Sequence, residues 1–234
     1  MSWRTSPFGL ALRSGVRALG LQVPLARLLG SASYEQSFHD AMMAALRPGD
    51  IVWDVGANVG LYTLQFADRA GPGAAVYAFE PSALNIASLT KAVAANPDVR
   101  VMPVALGSRD GTVRFSDADP AQDSLNVSAH VVADGGVEIA MRSADSLIAA
   151  GEAEVPAFVK IDVEGHELDV IEGMTAMLAD RRLETLAVEV HFQQLADRGM
   201  TSAPATIERM LRAAGFTVRW TDHSHIIASR RRKP

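Results

Sequence analysis

Four short groups of residues in this chain have types and spacings that could do chemistry. The first is Asp54-x-Gly56-x-x-x-Gly60, in the stretch IVWDVGANVG at 51–60. Gly56 and Gly60 allow the backbone to bend sharply and lie close to a ligand. The dinucleotide fingerprint needs a second glycine to admit a pyrophosphate, and Asn58 stands in that place with Ala57 before it. A side chain there argues for a phosphate-free adenosine ligand. Asp54 adds a carboxylate at the strand end, which suits an amino group or a cation. S-adenosylmethionine (SAM) has an adenosine, a sulfonium and an α-amino acid, and no phosphate. A glycine turn that binds nothing has the same pattern, so this stretch alone decides little.

The second group is Glu80-Pro81, 20 residues after Gly60. An acidic residue at about that distance, ending the next strand, hydrogen-bonds the ribose hydroxyls of a bound nucleoside; the plain alternative is an exposed strand-end carboxylate. The third is the densest polar group of the chain: Lys160, Asp162, Glu164, Gly165, His166 and Glu167. The fourth is the pair Glu189 and His191.

The elements that must position these groups follow from periodicity and turn residues. Apolar β-branched runs at 51–55, 75–79, 99–106, 157–161 and 186–190 read as buried strands. Helical patterns lie between them, the first beginning at Leu61, the second capped by Ser82 and the last running over 204–214. Further strands are expected at 111–115 and 137–141, and a helix at 144–150. One helix is expected after His166, through Val170, Ile171, Met174, Met177 and Leu178. Residues 216–220 and 225–229 read as a closing hairpin. Strand-helix alternation implies a parallel sheet, and ligands in such sheets sit at the carboxyl ends of the strands. That rule brings all four groups to one edge. The end of the third strand, Ala105-Leu106, should lie beside the adenine. The polar stretch 116–136 is too long for a plain connector and is a candidate substrate loop.

Composition narrows the setting. The chain has 234 residues, 48% hydrophobic and 21% charged, and no cysteine. Disulfides and thiolate chemistry are excluded, and a reducing, cytoplasmic setting fits. The net charge is −5, with +4 in the first 34 residues and +4 over 230–233, so the body between carries about −13 by difference. That is roughly the opposite of a nucleic-acid-binding surface. No run of 18 apolar residues suggests a spanning helix. The basic segment before Glu35 reads as short helices at 7–20 and 23–29, followed by one at 34–46 with Phe38, Met42 and Leu46 four apart. It could pack as an arm on the domain or on a second copy of the chain, lie on a membrane surface, or be a transit peptide. We divide the chain into this arm, 1–46, and a ligand-binding domain, 47–234.

With those residues in place, the chain resembles the FkbM-type SAM-dependent methyltransferases. The matching stretches are PGDIVWDVGANVGLYTL, VYAFEPSALN, VALGSRDG, VKIDVEGHELDVIEGM and LAVEVH, in that order. The resemblance implies a Rossmann-like class I fold: a seven-stranded, mostly parallel sheet with a C-terminal antiparallel hairpin and helices on both faces. It also implies SAM binding by Asp54 to Gly60 and Glu80. Family members methylate varied acceptors, often hydroxyls of natural products or sugars. Such transfer needs donor and acceptor in line and a proton acceptor for the hydroxyl. Asp162, Glu164, His166 and His191 are the candidates for that base, and each has a structural alternative: Asp162 could anchor the SAM amino group and Glu164 could cap the next helix. Asp162, Glu189 and His191 could instead hold Mg²⁺, although the reading adopted here carries no metal. Two other classes stay open: a catalytically silent SAM-binding scaffold and a nicotinamide oxidoreductase, the latter disfavoured by Asn58.

Overall fold

A computed structural model of the chain describes residues 31–116, 130–131 and 136–230. Its elements run α1 (Ser31–Ala45), β1 (Val52–Val55), α2 (Leu61–Ala70), β2 (Val76–Phe79), α3 (Ala83–Val93), β3 (Val99–Met102), β4 (Ala105–Leu106), β5 (Gly111–Ser116), β6 (His130–Val131), β7 (Val137–Arg142), α4 (Ala144–Ala149), β8 (Phe158–Ile161), α5 (Glu167–Glu172), α6 (Thr175–Ala179), β9 (Thr185–Glu189), α7 (Phe192–Asp197), α8 (Ala203–Ala213), β10 (Thr217–Trp220) and β11 (His225–Ser229). The expected helices at 7–20 and 23–29, most of the expected substrate loop at 116–136, and the basic tail after Arg230 lie outside the described residues.

Seven strands form one sheet in the order β10-β11-β9-β8-β1-β2-β3. The five from β9 to β3 are parallel, and β11 and β10 close the edge antiparallel. The chain builds β1, β2 and β3 in one direction and then crosses to β8 on the other side of β1. A crevice therefore opens between β1 and β8 at their carboxyl ends, where the strand order reverses.

Alternation along β1 divides the core. Trp53 and Val55 face a cluster with Phe79, Ile161, Ile171 and Met174, while Val52 faces Phe66, Phe158 and Ile227 on the opposite side. Phe38, Met42 and Leu46, on α1 and just after it, belong to that second cluster and are buried. The period-four stripe read in the sequence thus covers one face of the sheet, and packing continues across the expected boundary at 46/47.

Four features depart from the expected elements. The strand expected over 99–106 breaks at Pro103, which has no N–H for the ladder; β3 ends at Met102, and β4 pairs elsewhere. β4 joins β7, β5 and β6 in a second, four-stranded sheet. The helix expected after His166 is two, α5 and α6, parted at Gly173. A β-carbon at Gly173 would lie 2.0 Å from the Gly107 carbonyl oxygen, so the backbones meet where only glycine fits. Finally, α7 follows His191 and is not among the expected elements.

Candidate functional site

A cleft of about 550 Å³ lies at the carboxyl ends of β1, β2 and β8. The second sheet supplies an apolar wall through Val113, Phe115 and Met141. Gly56, Ala57, Asn58, Glu80, Pro81, Ala105, Leu106, Asp162, Glu164 and His166 all line the cleft. Asp54, Gly60 and His191, also expected at the site, are not among its lining residues.

The turn after β1 is held against both neighbouring strands. Gly56 and Ala57 donate their N–H groups to the Phe79 carbonyl at 3.0 Å each. A β-carbon on Gly56, at φ +80°, would lie 1.8 Å from the Asp162 carbonyl oxygen, so only glycine lets β1 and the end of β8 approach. Asn58 adopts φ +51°, a left-handed conformation that asparagine tolerates better than most residues. That twist sends its N–H to Glu80 Oε2 at 2.8 Å. Glu80 Oε1 accepts from Ser82 N–H at 2.9 Å and Asn85 Nδ2 at 3.3 Å. A carboxylate has about four acceptor sites, so three are filled and one on Oε2 is left over. Burial raises the Glu80 carboxyl above its ordinary value, partly offset by these donors.

Asp54 is fully buried beneath this turn. It accepts from Thr63 Oγ1 at 2.6 Å and pairs with Lys160 Nζ at 3.3 Å. The amino group that Asp54 meets is therefore one of the chain's own. Lys160 also pairs with Asp162 at 3.3 Å and donates to the Gly56 carbonyl at 3.0 Å. Burial acts to lower the Lys160 pKa, but Asp162 and Asp54 outweigh it and the net shift is upward. One ammonium, 3% exposed, thus ties the floor of the glycine turn to the end of β8.

The turn from β8 into α5 carries the remaining candidates. Glu164 is at φ +51°. It does not cap α5, whose first turn receives no side-chain cap. Its Oε2 accepts from Gln194 Nε2 at 3.0 Å and faces His191 Nε2 at 3.4 Å. Burial raises the Glu164 carboxyl above its ordinary value; His191 pulls the other way, and Asp162 and Glu189 add to the rise. His191 Nδ1 lies 2.7 Å from Glu167 Oε1, and its Nε2 also faces Asp162 at 3.6 Å and Glu189 at 3.8 Å. Burial would lower the imidazole, but the hydrogen bond and charge of Glu167, with Glu164 and Asp162, outweigh it and push the pKa up to about 9. His191 thus sits among four carboxylates, with Nδ1 on Glu167 and Nε2 facing the other three. His166 Nδ1 lies 3.0 Å from Asp169 Oδ2, which also pairs with Arg198 at 2.8 Å. One atom each of Asp162, Glu164 and His191 lie within 4.8 Å of one another, a spread that one small cation could bridge.

Sequence reasoning missed Tyr62, whose ring centroid lies 5.3 Å from Lys160 Nζ, and both Gln194 and Arg198, which come from α7 and the residue after it. The available signal was weak: Phe192 and Leu195 at helical spacing before Gly199. Glu167 was visible in the polar group but had no role.

A strand order reversing between β1 and β8, a glycine turn leading into α2, and an acidic end to β2 define the class I methyltransferase architecture. Residues 54–218 match the Methyltransferase FkbM domain family, and the chain belongs to that family. It is 33% identical over 159 residues to the hexuronic acid methyltransferase AglP of Haloferax volcanii, a match covering 67% of this chain and 62% of AglP. The chain thus spans under two thirds of that relative's length. It is 31% identical over 205 residues to the 31-O-demethyl-FK506 methyltransferase FkbM of Streptomyces tacrolimicus, covering 74% of this chain and 75% of that one. Among solved structures, Aeropyrum pernix fibrillarin with bound SAM aligns over 79% of this chain and 67% of its own, with a TM-score of 0.46 and 11% identity. The precorrin-6y C5,15-methyltransferase of Geobacter metallireducens aligns over 83% and 84%, with a TM-score of 0.46 and 11% identity.

Proposed function

We propose that this chain transfers the methyl group of SAM to a hydroxyl of a small-molecule acceptor, a sugar acid or another natural product. The observation that carries this reading is the single cleft that joins the glycine turn and Glu80 to the carboxylates Asp162 and Glu164. Four carboxylates line the cleft, Glu80, Asp162, Glu164 and Asp169, against Arg109, Lys160 and Arg198; that slight excess of negative charge suits a ligand of net positive charge, and SAM has a sulfonium and an ammonium against one carboxylate. Glu80 offers its remaining acceptor site to the ribose, Ala105 and Leu106 flank the adenine, and Asp162 receives the ammonium. The names of the two relatives favour a sugar acid or a hydroxyl of a larger natural product as acceptor.

The reaction is an in-line displacement. The acceptor oxygen forms a bond to the methyl carbon as the carbon–sulfur bond breaks, leaving S-adenosylhomocysteine. The hydroxyl proton must go to a base. Glu164 suits that role: it lines the cleft, and burial brings its carboxyl nearer to neutral pH. Alignment and exclusion of water supply the rest, worth several kcal/mol.

Thermal shift with SAM, S-adenosylhomocysteine and NADH separates this reading from an oxidoreductase, because only the first two should stabilise the protein. Methyl transfer from labelled SAM to glucuronic acid, galacturonic acid and 31-O-demethyl-FK506 then tests the acceptor class. Stabilisation by SAM with no labelled product across that panel would favour a silent scaffold.

A further inference from the structure

Glu167 opens α5 and is fully buried, among neighbours Leu168, Val170 and Ile171 that are themselves buried. A carboxylate in such a place is costly unless it is paired and hydrogen-bonded. Its Oε1 accepts from the Gly165 N–H at 2.8 Å and meets His191 Nδ1 at 2.7 Å. Its Oε2 is buried without a hydrogen-bond partner. Packing alone gives no reason for a carboxylate here, since an apolar side chain would fill the space without desolvating a charge. What Glu167 does is hold two things that bear on Glu164: the N–H of the next residue, in the left-handed turn, and the far nitrogen of the imidazole facing Glu164.

The groups facing His191 come from every element around it. Asp162 and Glu164 come from the β8–α5 turn, Glu167 from α5 and Glu189 from the end of β9. Behind Glu189 stands His225, 3.4 Å away, with Asp222 beyond it. Asp162 has Lys160 as a second partner and Glu189 has His225. Among the described residues, His191 is the one basic side chain within ion-pair distance of either Glu164 or Glu167.

We infer that Glu167 is a positioning residue for methyl transfer: by holding Nδ1 of His191 it aims Nε2 at Glu164 and Asp162, and through the Gly165 N–H it sets the turn that presents Glu164 to the cleft. The inference rests on the reading of Glu164 as the proton acceptor. The same pattern, a ring fixed through one nitrogen by a buried carboxylate, orients imidazoles in many sites.

The test begins with the wild-type protein. The Nδ1 proton of His191, labelled and assigned by comparison with His191→Gln, should appear in the S-adenosylhomocysteine-bound protein as a slowly exchanging, downfield resonance, because Nδ1 lies 2.7 Å from the buried Glu167 Oε1; a ring whose Nδ1 carries no such proton would overturn the inference without any further variant. Glu167→Gln keeps the shape and removes the charge. It should shift or abolish that resonance, while SAM affinity stays within about threefold. A folded Glu167→Gln protein with the wild-type resonance would also overturn it. Glu167→Asp, which keeps the charge at shorter reach, should recover part of the signal. Once an acceptor is found, Glu167→Gln should lower turnover about tenfold or more, on the scale of a displaced proton acceptor. Glu164→Gln is a separate arm: wild-type turnover there would sink the base assignment while leaving the His191 resonances to stand.

Discussion

At the residue scale, the proposed reaction divides the cleft into groups expected to hold the cofactor and groups expected to serve the transfer. Glu80→Ala removes a charge-assisted acceptor and also releases Asn58 from the turn, so SAM affinity should fall by about 1–3 kcal/mol. Calorimetric titration checks this, and undiminished affinity in a folded variant would rule out the ribose role. Glu164→Gln should leave SAM affinity within about threefold and lower single-turnover methylation by at least about tenfold. If His166→Ala lost activity and Glu164→Gln did not, the base would be His166. Glu164 must lose its proton to act. Its raised carboxyl therefore predicts an acid limb in the rate–pH profile above the ordinary carboxylate range, absent from Glu164→Gln. Treatment with EDTA should leave turnover unchanged; a loss restored by Mg²⁺ would reassign Asp162, Glu164 and His191 to a cation.

At the element scale, α1 is the informative case. It stands before the first strand, yet Phe38 is buried and stacks on the His225 ring at 4.2 Å between centroids. Phe38→Ala should cost about 3–5 kcal/mol, the usual range for a buried phenylalanine, read by chemical denaturation. Removal of residues 1–30 should leave the SAM-binding body folded. Removal through residue 46 should not, because Val52, Phe158 and Ile227 would then lose the cover of Phe38, Met42 and Leu46. Soluble, SAM-binding protein after the longer deletion would overturn the role given to α1.

For the whole molecule, stability should depend on pH through the paired groups at the strand ends. Burial acts to raise Asp222, but His225 and two backbone N–H groups outweigh it and hold its carboxyl at about 2. Its contribution is therefore present above the ordinary value near 4 and is lost as pH falls toward 2. Burial acts to lower His225, but Asp222 and Glu189 outweigh it and raise it to about 9; His191 is raised to about 9 likewise. Their contribution is present below about pH 6.5 and is lost as pH rises toward 9. Stability should therefore fall as pH drops toward 2 and again as pH rises toward 9, and the raised carboxyls of Glu80 and Glu164 should add a decline with rising pH above the ordinary carboxylate range, all read as thermal midpoints. In Asp222→Asn the protein should be less stable at neutral pH and the acid-side fall should shrink. An acid limb identical to wild type would show that other carboxylates govern it.

The amino-acid order alone determined the parallel sheet, its closing hairpin and the edge at which the site lies. Those features follow from local signals: β-branched runs, glycine turns and helical spacing recur along the chain, and the carboxyl-end rule then collects Gly56, Glu80, Asp162 and Glu164. The second sheet and the break at Gly173 depend on partners far away in sequence. Pro103 marks a bend, but what β4 pairs with is decided by β7 about 36 residues later, and the need for glycine at 173 comes from the backbone of Gly107. The charges were legible as types and not as pairs. Asp54 and His191 read from sequence as strand-end groups; only the fold puts Lys160, 106 residues on, 3.3 Å from Asp54 and four carboxylates around His191. Side-chain charge state is set by burial and by neighbours within a few ångströms, and only the folded chain puts those neighbours in place.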